Sequence, residues 1–137
     1  ITFLSIIIFS SFINLKIEHP LVLVTYLILS SFILGAAGMC AGLWADKFDN
    51  MATITNFVIV PLSFLSGTFY SVSELPSILK ILSYYNPFFY MIDGFRFAFI
   101  GQSDGSIMIG ICYLLILAFI SWFISYLLYK EGYKIKS

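Results

Sequence analysis

Two runs of the sequence carry no charged residue and are long enough to cross a lipid bilayer. Residues 21–43 read LVLVTYLILSSFILGAAGMCAGL, and residues 107–129 read IMIGICYLLILAFISWFISYLLY. As α-helices, both would reach about 34 Å at 1.5 Å per residue, against a hydrocarbon core of about 30 Å. A helix also satisfies its backbone hydrogen bonds internally, which the bilayer requires. Each run is therefore predicted to be a transmembrane helix.

Composition indicates that most of the chain is surrounded by lipid. Of its residues, 61% are hydrophobic and only 10% are charged, whereas about a quarter of the residues in a soluble domain are charged. The formal net charge is zero, so no basic field attracts nucleic acid, and no nucleic-acid partner is predicted. The predicted fold class is all-α, a polytopic membrane protein in which residues 1–137 form a single transmembrane domain.

Two further segments are apolar. Residues 1–13 are too short for a span, which needs about 17–25 residues, and they lack the basic start of a signal peptide. We expect them to be the truncated end of a span whose upstream part lies outside this sequence. Residues 52–70 are long enough for a third full span, which Pro61 is predicted to kink. Asn56 would either hydrogen-bond another helix or contact substrate.

The last predicted span indicates the orientation of the chain. Aromatic residues typical of a membrane interface lie toward its C-terminal end: Trp122, Tyr126 and Tyr129. Three lysines lie within the next seven residues after the span: Lys130, Lys134 and Lys136. Because basic residues beside a span favour the cytoplasmic side, the C-terminus is predicted to be cytoplasmic. Residues 44–51 are then a cytoplasmic turn, and residues 71–106 lie outside.

Residues 86–101, NPFFYMIDGFRFAFIG, are aromatic but carry two charges. Asn86 followed by Pro87 predicts a helix start and Gly101 a helix end, which gives a helix over 87–100. Fourteen helical residues reach only about 21 Å. At the bilayer centre, Asp93 and Arg96 would together cost about 6 kcal/mol, against about 4 kcal/mol gained from the apolar residues. The helix is therefore predicted to enter the bilayer part-way rather than to span it.

An upstream segment, SELPSILKILSYY, predicts a second short helix over about 74–84, with Ser73 as its cap and an apolar stripe on one face. The two short helices would form a re-entrant hairpin over 74–100, which enters the outer leaflet between two full spans and turns back. Asp93 and Arg96 are three residues apart and able to pair with each other; alternatively, they would hold the hairpin near the headgroups or bond to a neighbouring helix.

Small and potentially reactive residues lie inside the apolar runs. Gly38 and Gly42 form a pair of small residues four apart, which allows a second helix to approach closely, either within the chain or from a second subunit. Cys40 and Cys112 are interpreted as packing residues rather than as a disulfide or metal pair. His19 is the only histidine, and no metal site is predicted.

The run PLSFLSGTFYSVSELPSILKILSYYNPFFYMIDGFRFAFIG, residues 61–101, resembles the C-terminal signature of the type-2 ABC exporter permeases. The pieces that carry the likeness are PLSFLSGTFYS, ELP and YYNPFFYMIDGFR. The preceding GLWADKFDNMATITNFVIVPL, residues 42–62, fits the short cytoplasmic loop and following span of the same family.

The resemblance implies a permease of six spans that acts as a homo- or heterodimer and is driven by a separate or fused ABC ATPase. This chain would hold part of the third span, then the fourth, fifth and sixth spans and the external hairpin. The resemblance further implies a bacterial cytoplasmic membrane, lipid contacts, and export of a lipid-like, glycan or drug substrate.

No G-x-x-x-x-G-K-[ST] loop for binding phosphates occurs in the sequence. ATP and Mg²⁺ are therefore expected on the partner ATPase, and no cofactor is expected on this chain. The turn at 44–51 would either contact that ATPase or be an ordinary solvated turn; its candidate contacts are Trp44, Asp46, Lys47, Phe48 and Asp49. Candidates for the substrate pathway or an outer gate are Asn56, Pro61, Tyr70, Phe88, Phe89, Asp93 and Arg96.

Two other functional classes are alternatives to the exporter. An intramembrane enzyme needs a nucleophile or paired carboxylates within the bilayer, but the three predicted spans contain no ionisable Asp, Glu, Lys, Arg or His, and no catalytic residue is predicted. An ATP-independent channel or carrier usually has a charged or unwound element at the midplane. That alternative and a purely structural membrane subunit stay open from the sequence.

Overall fold

The computed structural model describes residues 17–45 and 48–130. Throughout these ranges the regular elements are helical, which confirms the all-α prediction for them. The elements are α1 (Pro20–Trp44), α2 (Phe48–Ile54), a π-helical turn (Thr55–Ile59), α3 (Val60–Phe64), a 3-10 turn (Val72–Glu74), α4 (Ser77–Tyr85), α5 (Pro87–Ile100) and α6 (Ile107–Lys130). The span predicted at 1–13 and the tail lysines beyond Lys130 lie outside the described residues.

The two longest helices are α1, with 25 residues, and α6, with 24. Both are long and apolar enough to cross a membrane. Pro20 occupies the start of α1, where its missing N–H leaves no hydrogen bond unmade. The helices predicted over 21–43 and 107–129 are thus confirmed; α1 extends one residue beyond each predicted end, and α6 extends one residue beyond its predicted C-terminal end.

A helix overlaps the span predicted over 52–70, with different ends. Among the described residues, only α1 and α6 are long and apolar enough to cross a membrane, so the third full span stays a prediction. The overlapping helix runs continuously over 48–64 through α2, the π-helical turn and α3. Its start is favoured by Asp49 in the first turn, where a negative charge meets the positive end of the helix dipole. Its end comes early because Leu65 leaves helical geometry and Gly67 adopts a φ of +77°, a conformation that glycine tolerates best. The 48–64 helix reaches about 25 Å.

Pro61 lies just beyond the π-helical turn of this helix. Val60 donates its backbone N–H to the carbonyl of Thr55, five residues back. Since proline lacks an N–H and crowds the preceding turn, a widened turn at this place accommodates it. The irregularity expected at Pro61 therefore takes the form of a π-helical turn.

The two short helices of the expected hairpin, α4 and α5, follow. As predicted, α5 starts after Asn86, whose side chain accepts a hydrogen bond of 3.0 Å from the Phe88 N–H. It ends at Gly101, which has a φ of +68°. In contrast, α4 begins at Ser77 rather than at 74, because Leu75 precedes Pro76 and is extended. The prediction of Ser73 as the cap of this helix was wrong.

The core lies where α1, α5 and α6 meet. The buried residues of α1 recur three or four apart on one face: Leu23, Tyr26, Ser30 and Ile33. Those of α6 are four apart: Gly110, Leu114 and Ala118. Buried aromatic and sulfur-containing side chains of α5 join this core, namely Phe89, Tyr90 and Met91. The short helix α5 therefore packs against the N-terminal halves of both long helices.

The 48–64 helix stands apart from this core. None of its residues from Asp49 onward is buried, and Asn56 and Pro61 are both exposed. Within the described chain, an added Cβ at Gly38 or Gly42 would meet nothing within 4 Å. The close approach predicted at these glycines is thus not made inside this part of the chain, and contact with a second subunit stays a prediction.

Candidate functional site

Tyr26 of α1 fills a space between α5 and α6. Its side chain is only 1% exposed, and its hydroxyl donates to the Ile107 carbonyl at 3.0 Å. A Cβ added at Gly94 would lie 2.2 Å from the tyrosine ring, and one at Gly110 would lie 2.4 Å from its hydroxyl. Glycine at both positions is what lets the three helices approach each other. We call Tyr26, Gly94 and Gly110 the tyrosine socket.

Aromatic contacts extend from the socket to α4. Tyr90 packs against Tyr113 of α6 with ring centroids 4.8 Å apart, and Phe89 meets Tyr84 edge-to-face at 5.3 Å. Tyr113 also donates its hydroxyl to the Tyr85 carbonyl at 2.7 Å. Such aromatic pairs stabilise packing beyond the area they bury. They hold the corner between α4 and α5 against α6.

Asp93 is buried within α5, with 3% exposure. Its carboxylate accepts hydrogen bonds from the backbone N–H groups of Asp104 at 2.7 Å and Gly105 at 3.0 Å. A buried carboxylate is tolerated only when such donors replace water. Asp93 therefore fastens the loop at 101–106, which leads into α6, to the middle of α5.

Arg96 pairs with Asp104 of that loop. Its Nη1 lies 2.8 Å from the Asp104 carboxylate, and its Nη2 donates to the Gly67 carbonyl. One of the alternatives, a direct pair between Asp93 and Arg96, is not formed, because the loop backbone occupies the Asp93 oxygens. The spacing of Asp93 and Arg96 in the sequence allowed that pair, but it could not show that the chain brings Asp104 next to Arg96.

Asp104 also accepts hydrogen bonds from two adjacent residues of one further segment, Ser71 and Val72. The Ser71 hydroxyl donates to it at 2.7 Å and the Val72 N–H at 2.9 Å. Burial raises the pKa of Asp104, but the hydrogen bonds from Ser71, Val72 and Arg96 and the charge of Arg96 outweigh that effect. The pKa of Asp104 therefore lies below its ordinary value, and the carboxylate is ionised at neutral pH.

Asn86 has a second partner besides the N-terminus of α5. Its side-chain Nδ2 donates to the Leu62 carbonyl at 2.6 Å, and the residue is 2% exposed. It therefore joins the start of α5 to the end of the 48–64 helix. We call Asn86, Asp93, Arg96 and Asp104 the polar clasp, because together they tie α5 to the segments on both sides of it.

A polar cavity of about 540 Å³ opens beside the clasp. Its lining residues are Ser71, Arg96, Gly101, Gln102, Ser103 and Asp104. The charged members of the clasp are already paired with each other or with backbone groups. The arrangement is thus suited to holding segments in position.

The structure separates the predicted pathway residues into groups. Phe89, Asp93 and Arg96 lie around α5, where Phe89 is a core residue with 1% exposure. Tyr70 is half-buried and donates its hydroxyl to the Phe64 carbonyl at 2.5 Å. Phe88 is half-buried, whereas Asn56 and Pro61 are exposed on the 48–64 helix. Sequence reasoning missed Asp104, although the Asp-Gly pair just before a span is a recognisable turn signal.

Three of the five predicted ATPase-contact residues, Trp44, Phe48 and Asp49, are described by the structure. Trp44 is the last residue of α1 and is 58% exposed, while Phe48 and Asp49 begin α2. Asp46 and Lys47 lie outside the described residues. The helix α1 is about 37 Å long, and the clasp lies beside its N-terminal half, where Gly94 of α5 meets Tyr26.

Known proteins resemble this chain over most of its length. The sequence profile of the family described as ABC-2 type transporter matches residues 1–100. The inner membrane transport permease YadH of Escherichia coli K12 is 35% identical over 113 residues, which is 81% of this chain and 43% of that protein. The YadH protein of Shigella flexneri gives the same values.

Nodulation protein J of Sinorhizobium fredii is 29% identical over 97 residues, which is 71% of this chain and 37% of that protein. No solved structure matches the chain significantly. The chain spans less than half the length of these curated relatives.

Proposed function

The chain belongs to the ABC-2 type transporter family, and from that premise we propose that it is part of the permease of an ATP-driven exporter. The observation that carries the proposal is the family match over residues 1–100, supported by the likeness to an inner membrane transport permease. The two bilayer-length helices agree with it. The likeness to an inner membrane permease supports a bacterial cytoplasmic membrane as the proposed location of the permease.

In the proposed topology, α1, the 48–64 helix with its following turn, and α6 are three crossings of the membrane. The pair α4 and α5 enters the outer leaflet as a re-entrant hairpin, and the C-terminus is cytoplasmic. Support comes from the length of α5, about 21 Å, which is too short to cross, and from its two charged residues. The loop at 101–106 and the 3-10 turn then both face the outside.

Cysteine labelling tests this topology in the full-length permease. Ser73 and Gln102 are exposed and flank the hairpin, so single cysteines there should both react in intact cells with a maleimide that does not cross membranes. A cysteine at Ser137 should react only after permeabilisation. Labelling of Ser73→Cys and Gln102→Cys from opposite sides would overturn the hairpin.

The energy source is proposed to be a partner ATPase, which binds ATP and Mg²⁺, while this chain binds no cofactor. Trp44, Asp46, Lys47, Phe48 and Asp49 are its proposed contacts, at the cytoplasmic end of α1. Replacing Asp46 and Lys47 by Ala should lower ATP-driven transport at least threefold, with Asn50→Ala as the neighbouring control. Unchanged transport and ATP hydrolysis would show that the turn is only a solvated connection.

A second permease copy is proposed to complete the substrate pathway. The 48–64 helix supports this, because none of its residues from Asp49 onward is buried in the described chain and Asn56 needs a hydrogen-bonding partner within the bilayer. Substrate would then pass Asn56, Pro61 and Tyr70, with Phe88, Phe89, Asp93 and Arg96 in the outer gate. The apolar and aromatic surroundings suit lipid-like, glycan-bearing or drug-like molecules.

Reconstitution tests the function as a whole. The full-length permease and its partner ATPase, placed in proteoliposomes, should show ATP hydrolysis that is stimulated by one of a panel of lipids, lipid-linked oligosaccharides and drugs. Transport of that compound should require ATP and stop with vanadate. Transport that continues without ATP would instead identify a channel or carrier, and absence of any associated ATPase would contradict the exporter.

A further inference from the structure

The end of the 48–64 helix is tied to α5 and to the 101–106 loop mainly by polar groups. Asn86 reaches the Leu62 carbonyl, Arg96 reaches the Gly67 carbonyl, and Asp104 accepts from Ser71 and Val72. The side chain of Val72, which is fully buried, adds apolar packing at the same place. Four successive points between residues 62 and 72 are thus bound to the clasp.

The rest of the 48–64 helix has no comparable attachment. Its residues from Asp49 onward are exposed or half-buried in the described chain, and Phe57 is 77% exposed. The π-helical turn lies in its middle, and such turns within α-helices are rare and are found frequently at functional sites. This helix is therefore tied to α5 and the 101–106 loop at its C-terminal end, while its middle buries no residue within the described chain.

Asp104 holds the central place in the attachment. It contacts Ser71 and Val72 on one side and Arg96 of α5 on the other, and its own N–H is bound by Asp93. Its side chain is only 15% exposed. When one of its partners is removed, water therefore has little access to replace the lost hydrogen bond. One side chain thus connects the end of the 48–64 helix, α5, and the loop that starts α6.

We propose that Asp104 is a positioning residue for transport, which makes the C-terminal end of the 48–64 helix and the α4–α5 pair move as one unit. A displacement of the 48–64 helix that begins at its cytoplasmic end is then passed to the short helices instead of being lost in the intervening turn. Asp104 contacts no substrate in this role. The inference rests on the proposed function for its importance to transport, but the joint movement is testable by itself.

Spin-label distances test the joint movement in the full-length permease with its ATPase, in a background without other cysteines. One pair, Phe64→Cys and Ile81→Cys, joins exposed sites at the C-terminal end of the 48–64 helix and on α4. A reference pair, Phe64→Cys and Ile120→Cys, joins the unit to the exposed side of α6. Double electron–electron resonance is recorded before and after trapping with ATP and vanadate.

The first pair should give one narrow distance that trapping leaves unchanged, while the reference distance shifts. With Asp104→Asn, the first distribution should widen at least twofold, and Asp104→Glu should lie in between. Gln102→Ala, in the same loop and exposed, is the matched control and should behave as the unaltered protein. If the Asp104→Asn protein does not accumulate in cells, Arg96→Lys replaces it as the test variant. Lysine keeps the positive charge but loses the second donor, which binds the Gly67 carbonyl.

Transport supplies the second readout. Asp104→Asn should retain ATP hydrolysis within twofold and lose at least tenfold in transport, whereas a fault in folding alone would lower both together. The proposal is overturned if the first pair keeps its narrow distance in Asp104→Asn, if trapping changes that distance in the unaltered protein, or if trapping moves neither pair. A complex that transports nothing would refute the proposed function and leave the distance comparison in Asp104→Asn still decisive for the joint movement.

Discussion

The tyrosine socket and the polar clasp both fix α5, but they do so by different physical means. In the socket, a buried ring from α1 fits against two glycines, and one hydrogen bond orients it. In the clasp, two carboxylates, a guanidinium and an amide bind backbone groups of neighbouring segments. The socket depends on the absence of side-chain atoms, whereas the clasp depends on particular atoms being present.

The difference follows from the surroundings of each joint. Lipid tails are as apolar as the helix surfaces, so helices within the bilayer associate through close packing rather than through a hydrophobic drive. Where the chain turns without regular structure, its backbone groups need partners, and charged side chains supply them. A substitution should therefore disturb the socket by adding volume and the clasp by removing a donor or an acceptor.

The largest effect is expected from Gly94→Ala in the socket. The new methyl group would lie 2.2 Å from the ring of Tyr26, and the ring cannot withdraw because it is buried and its hydroxyl is bound to Ile107. Overpacking of this kind should lower the free energy of unfolding by about 3 kcal/mol. The measurement is thermal unfolding of the full-length permease in detergent.

Gly38→Ala is the matched control for that experiment. It lies in α1, but its added Cβ meets nothing within 4 Å in the described chain. Because alanine favours a helix over glycine by about 1 kcal/mol, this variant should unfold at the same temperature or slightly higher. A loss at Gly38 equal to that at Gly94 would mean that a second subunit packs there and would remove the contrast.

The next effect in size is expected from Asp93→Asn in the clasp. One of the two Asp93 oxygens becomes an amide N–H₂ that faces a backbone donor, so one buried N–H is left without an acceptor. This should lower the free energy of unfolding by about 2 kcal/mol. Asp49→Asn, exposed in the first turn of α2, is the control, with an expected loss of about 0.5 kcal/mol. Equal effects at both sites would show that burial does not strengthen the clasp.

The sequence predicted those parts of the fold that depend on local rules. The lengths of α1 and α6 follow from charge-free runs, and the ends of α5 follow from Asn86 and Gly101. The C-terminal end of the 48–64 helix could not be predicted from such a rule, because the apolar run continues past the turn at Gly67. The predicted start of α4 is wrong because Pro76 keeps the preceding Leu75 out of helical geometry, so Ser73 cannot cap this helix.

The joints themselves required the three-dimensional structure. Glycine spacing pointed to Gly38 and Gly42, but the close contacts are at Gly94 and Gly110, which lie on different helices and share one tyrosine. Likewise, the helical spacing of Asp93 and Arg96 allowed a local pair, while their actual partners come from residues 67 and 104–105. Contacts between distant segments leave no periodic signal in a single sequence.

Tyr26→Phe should separate shape from hydrogen bonding within the socket. The ring that fills the space is kept, and only the bond from its hydroxyl to the Ile107 carbonyl is lost. The expected loss is about 1 kcal/mol, well below that of Gly94→Ala in the same unfolding measurement. A larger loss than that of Gly94→Ala would mean that the hydroxyl, rather than the fit of the ring, holds the socket together.

The smallest expected effect is the change of stability with pH that results from the titration of Asp104. Because the pKa of Asp104 is lower in the folded protein than in the unfolded chain, its ionised form stabilises the fold at every pH above the unfolded value of about 3.9. That stabilisation is lost as pH falls through the lower, folded pKa. Arg96 keeps its charge throughout, so protonation of Asp104 ends their ion pair.

The measurement is the difference in unfolding temperature between the unaltered permease and Asp104→Asn, recorded from pH 7 to pH 3. The carboxylates that lie away from Asp104 are present in both proteins, so their shared titration is removed when one curve is subtracted from the other. The difference should stay constant from pH 7 to about pH 5 and then shrink toward zero in more acidic solution. A difference that grew on acidification would mean that the folded protein favours the protonated carboxyl, and the clasp would then be joined by neutral hydrogen bonds rather than by charge.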